Sequence, residues 1–147
     1  MRRPDVTALA VLTAAGLAAI AVIHLLIAKN YVDLGSKPFS LGDQFYVQAA
    51  GGLALAVGLV VMLVRPLGRL EMLLWLSALG FGVVSLAFLV YSRYKAIPVP
   101  GLPGGFQESW SAPKAVAAAV AESFTILVAG AGLLVTRGRV SAGSAAG

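Results

Sequence analysis

Four long apolar blocks occupy most of this chain, at residues 7–28, 45–64, 67–91 and 115–136. A helix needs about 20 predominantly apolar residues to cross the hydrocarbon core of a bilayer, and each block reaches that length. In lipid every backbone polar group has to be satisfied within the segment, which selects helices for blocks of this kind. The expected fold is therefore an all-α membrane protein, an up-down bundle of four transmembrane helices with two ordered extracytoplasmic loops. It is expected to form one domain over residues 1–140, followed by a disordered tail at 141–147. Composition agrees: 59% of the 147 residues are hydrophobic and 12% are charged, against about 25% charged in an ordinary soluble domain. The first block follows Arg2 and Arg3 and contains Ala14, Ala15, Ala18 and Ala19. It is longer than the roughly 7–15 apolar residues of a signal peptide, so it is read as an uncleaved helix.

The net charge of +5 is not spread as a nucleic-acid binder would spread it, because the lysines and arginines sit at the ends of the apolar blocks. They are read as topology signals and lipid head-group contacts, and no nucleic-acid partner is expected. Arg2, Arg3, Arg65, Arg69, Arg137 and Arg139 fall on the side of the termini. The other two loops mix Lys29, Lys37, Arg93, Lys95 and Lys114 with Asp33, Asp43 and Glu108. The positive-inside rule then places both termini in the cytoplasm, with a bacterial cytoplasmic membrane as the expected location. The chain has no cysteine, which excludes disulfides, thiolate metal sites and CxxC redox chemistry.

The two outer loops do not read as flexible linkers. KNYVDLGSKPFSLGDQ carries turn residues and aromatics, and SRYKAIPVPGLPGGFQESWSAPK carries four prolines. Pro98, Pro100 and Pro103 deny a helix, while Tyr94, Phe106 and Trp110 suit a membrane interface. A compact outer cap is expected, with a short amphipathic turn near Phe106–Trp110. Asp33, Asp43 and Glu108 are expected to face water. Small residues, among them Gly51, Gly52, Ala54, Gly58, Gly80, Gly82, Gly130 and Gly132, mark faces for close helix contact.

The polar residues inside the blocks are few and lie on one side. His24, the only histidine, is near the outer end of the first block, Gln48 lies at a similar depth, Arg93 closes the third, and Glu122 is deeper in the fourth. Ionisable groups in a span are costly and need partners. Glu122 is accordingly expected within hydrogen-bonding or single-water reach of His24 or Arg93, while Ser123 and Thr125 are read as bonding back to their own helix. The cluster has several readings: a lock between helices, a pocket for a lipid or quinone-like head group, a proton pathway, or a metal or haem site. The pathway lacks a continuing polar chain in the inner half. One histidine and one carboxylate are too few for a closed metal site, so no metal or cofactor is expected. HExxH, GxxxxGK[ST] and GxSxG are all missing.

The order His24-Leu25, Gly42 and Phe45, Ser92-Arg93, Pro98, Pro100 and Gly101, then a lone Glu122 in an alanine-rich block resembles a group of small four-helix membrane proteins common in high-GC actinobacteria. The architecture is also loosely similar to DoxX-like proteins. The resemblance implies that His24, Arg93 and Glu122 belong together, and it names no ligand. The expected function is non-enzymatic: an accessory, stabilising or assembly subunit of a larger membrane complex, with the lipid bilayer and other membrane subunits, or itself, as partners. The alternative is a small-molecule binder or proton-coupled transporter using the outer polar cluster.

Overall fold

The structure, a computed structural model, describes residues 4–112 and 114–144, with side chains as far as residue 138. The described residues form four helices and one small hairpin: α1 (Pro4–Ala28), α2 (Leu41–Val64), α3 (Arg69–Tyr94), β1 (Ile97–Val99), β2 (Leu102–Phe106) and α4 (Ala115–Ser144). All four helices contain a stretch long and apolar enough to cross a membrane.

Each helix buries a stripe spaced by threes and fours, the repeat of one helical face. In α1 the stripe includes Val6, Ala10, Thr13, Leu17, Ile20 and His24. In α3 it runs Trp75, Ala78, Gly82, Ser85 and Ser92, and in α4 Ala118, Glu122, Thr125, Ala129 and Leu133 are buried. The helix α1 packs against both α2 and α4, and α3 packs against α4, whereas α2 and α3 meet sparsely. The apolar core lies at the end away from the long loops, where Leu17, Leu59, Met62, Trp75 and Leu133 converge. Gly132 permits that packing, since a Cβ there would collide with the Trp75 ring. Other small residues contribute unevenly. Gly52 and Gly82 do lie at helix contacts, but Gly80 and Gly130 face open space and Ala54 is exposed.

The helix ends that differ most from the expected ones are the start of α2 and the end of α4. The start of α2 moves back from residue 45 to Leu41 because Ser40 and Asp43 form a capping box: Ser40 Oγ accepts from the Asp43 N–H at 3.2 Å, and Asp43 Oδ2 accepts from the Ser40 N–H at 3.0 Å. Such a box satisfies two of the donors that a helix start leaves open. The helix α4 continues through Ser144 instead of ending at 136. Residues 141–144 of the expected tail are thus helical, and 145–147 lie outside the described residues, as do Met1, Arg2 and Arg3.

The second long loop opens with an antiparallel hairpin, with Ile97 opposite Phe106 and Val99 opposite Leu102, and a turn follows at residues 110–111. Pro98 and Pro103 fit the hairpin because each strand of a two-stranded sheet is an edge, where a missing N–H breaks little. The first loop folds back on α2 through Leu41 N–H to Leu34 O at 2.8 Å and Gly42 N–H to Tyr31 O at 3.0 Å. The loops are tied together by the Ser36 N–H donating to Pro100 O at 2.6 Å. Gly35 (φ 100°) and Gly101 (φ 74°) make this approach possible. A Cβ on Gly35 would run into the Pro100 carbonyl, and one on Gly101 into Ser36. Both glycines also hold backbone angles that side chains resist.

Candidate functional site

Beneath this cap the four helices enclose a cavity of about 80 Å³. A single water needs roughly 10–15 Å³ by the same measure, so the space accommodates several waters or one small head group. His24, Gln48, Arg93 and Glu122 all line it, one from each helix. Each is held there by its local helical register: His24 continues the buried stripe of α1 and Glu122 that of α4.

The direct hydrogen bonds of these residues run to neighbours outside the group. Glu122 is 1% exposed, and its Oε1 accepts a hydrogen bond from Ser85 Oγ at 2.6 Å rather than from His24 or Arg93. Its other oxygen, Oε2, is buried without a partner, as are Gln48 Oε1 and Arg93 Nε. His24 Nδ1 lies 2.8 Å from the Ile20 carbonyl oxygen. A carbonyl only accepts, so that nitrogen carries the proton and Nε2 is left as an acceptor. Thr125 bonds back to Ala121 O at 2.8 Å, in line with its expected role.

Arg93 neither reaches Glu122 nor extends to head groups. Its side chain is 5% exposed, and its terminal amine meets Glu108 Oε2 at 3.0 Å. The guanidinium also stands 5.6 Å from the Trp110 ring centroid, within range of a cation–π contact. Glu108, expected to face water, instead accepts from both sides, since the Tyr31 hydroxyl donates to its Oε1 at 2.5 Å. Burial and this carboxylate together raise the Tyr31 phenol from its usual 10 to about 12. Tyr31, Glu108 and Arg93 thereby join the first loop, the second loop and the end of α3 along the cavity edge.

Aromatic rings form one wall. Phe45 lies 5.5 Å from His24 and 5.4 Å from Tyr31, and Tyr31 lies 5.5 Å from Phe106, centroid to centroid. The tilted and edge-on arrangements are those that aromatic pairs prefer.

Sequence reasoning selected the four polar residues but missed Ser85, Tyr31 and Glu108. Ser85 stands seven residues before Ser92 and seven after Ala78, so the α3 stripe carried a usable signal for it. Tyr31 and Glu108 carried none, because their meeting depends on how the two loops dock. Among the described residues no group of three or more His, Cys, Asp or Glu is placed to hold a metal ion. No protein-family model, curated protein or solved structure matches the chain.

Proposed function

We propose that this chain is a multi-pass membrane protein whose capped cavity binds the polar end of a small membrane-dissolved amphiphile, without transforming it. One observation carries the reading. Three residues that each carry a buried polar atom without a partner, on three different helices, line a single cavity. Leaving a buried polar atom unpaired costs about 1–3 kcal/mol, so such atoms are rare in interiors and their clustering calls for a bound polar group. Orientation follows the basic residues. Arg65 and Arg69 mark the uncapped end, which supports an orientation with the termini in the cytoplasm and the cap outside a bacterial cytoplasmic membrane.

The test is gentle purification of the wild type and Glu122→Gln from native membranes, followed by mass spectrometry of what travels with each. A small molecule carried by the wild type and lost from the variant supports the reading. A cavity that yields only water in both removes it.

A second reading, that the chain is a non-enzymatic accessory subunit, draws on the sparse packing of α2 against α3. An apolar groove there is lined by Gly58, Leu70 and Leu74. In the same experiment that reading requires protein partners in fixed ratio, indifferent to the Glu122 change.

A further inference from the structure

Resting on the cavity reading above, we infer that the ligand is a hydroxylated aromatic ring on an apolar tail, of the phenol or hydroquinone class, and that it enters from the bilayer between α2 and α3. Two sets of observations lead there.

The first is the hydrogen-bonding inventory. Gln48 Oε1 and the carboxyl oxygen Glu122 Oε2 are buried acceptors without partners, Arg93 Nε–H is a buried donor without one, and His24 Nε2 is a further acceptor. A bound group must therefore both donate and accept. A hydroxyl does both from one atom, whereas a ketone, an ether or a quaternary amine does not. The same cavity is lined by the ring series Phe45, Tyr31 and Phe106, with Phe45 against His24, a surface that a planar ring meets edge to face or offset. An aliphatic alcohol would satisfy the polar atoms but leave that surface without its natural complement.

The second is the seam. Toward the core, α2 and α3 touch where Phe81 lies over Gly51 and Leu74 over Gly58. Above that contact the cavity separates them, lined by Gln44 and Gln48 of α2 and by Ser85 and Phe88 of α3. Phe88 lines the cavity and is also 51% exposed. Its neighbours on the outer faces, Val47 and Val84, are apolar and more exposed still. A tail leaving past Phe88 therefore runs into hydrocarbon while the ring stays under the cap. Gln44, on the α2 side of the same seam, is exposed as well, whereas Lys114, just before α4, is a cation and a poor neighbour for an alkyl tail.

The experiment is saturation binding of radiolabelled 4-decylphenol to the full chain in nanodiscs, with empty nanodiscs as background. Competitors are decylbenzene, 4-decylanisole and 1-decanol. Saturable binding is expected, at least tenfold weaker in both Glu122→Leu and Gln48→Leu. All three competitors should be at least tenfold poorer than the phenol itself. The chain has no cysteine, so a single Phe88→Cys can be alkylated with a bulky maleimide. This should slow uptake at least tenfold, while the same label at Leu134→Cys on α4 should leave it unchanged.

If 1-decanol competes equally, the ring is wrong; if 4-decylanisole does, the need for a donor is wrong. If alkylation at position 88 has no effect, the seam is wrong and entry lies on the Lys114 side. If 4-decylphenol fails to bind while a native molecule still co-purifies and is lost from Glu122→Gln, this inference falls and the cavity reading stands. If neither is found, both fall.

Discussion

The two ends of this bundle are built from the same four helices on opposite terms. At the uncapped end, Trp75 packs into the space left by Gly132, and Leu17, Leu59 and Met62 are fully buried around it. At the capped end, the same helices stand apart around about 80 Å³ of space and bury a carboxyl, an imidazole and a guanidinium at its edge. Between helices surrounded by lipid, close packing is a main source of stability. The capped end forgoes that and holds Gln48 Oε1, Arg93 Nε and Glu122 Oε2 unpaired, where the tight end holds Trp75 Nε1. Stability is concentrated at one end, and chemistry at the other.

The strongest way to break this comparison is at the tight end. Trp75→Ala should destabilise the bundle by about 3–5 kcal/mol, read by denaturant or thermal unfolding in detergent, and Gly132→Val by about 1–3 kcal/mol through overpacking against the same ring. Little loss in either would mean that the core does not hold the fold.

At the capped end the order of effects reverses. Glu122→Leu removes a buried polar group with one unpaired oxygen, so stability should stay within about 1 kcal/mol of wild type or rise. Binding of any cavity ligand should be lost. A large loss of stability would make Glu122 a structural lock after all.

Glu108→Gln separates cap from cavity. It keeps an acceptor for Tyr31 but removes the charge facing Arg93. Glu108 is 26% exposed, so the cost should be about 1 kcal/mol or less. The readout is faster hydrogen exchange across 97–106 with the helices unchanged.

The finest test uses Tyr31. Its phenol is raised from 10 to about 12, so the folded state favours the protonated form. That contribution is complete below pH 10 and is lost as pH rises from about 10 to about 12. Tyrosinate absorbance should show one late-titrating ring, which disappears in Tyr31→Phe and shifts downward in Glu108→Gln.

The four helices were legible because lipid imposes a length and composition that no soluble helix needs. Their ends were less so. The start of α2 was encoded in Ser40 and Asp43, a signal outweighed by the charge at Asp43. The four polar residues were legible as a group because each interrupts or ends an apolar run in the same half of the bundle. Their pairing was not, since it depends on rotation of α3, which brings Ser85 rather than Arg93 to Glu122. The hairpin was legible only as a region that refuses helix. Its register, and the meeting of Glu108 with Tyr31, arise from two loops distant in the chain.

The bond from Ser36 to Pro100 has a consequence for the order of assembly. Each helical hairpin, α1 with α2 and α3 with α4, closes through contacts near in the chain, and the loop-to-loop bond joins one hairpin to the other. Contacts of long sequence separation carry the greater closure entropy and form late. The roof of the cavity is therefore completed only when the two hairpins meet, as is the packing of α1 against α4. A molecule already lying between the two hairpins when they meet would be enclosed by that last step, making the final stage of folding itself an act of capture.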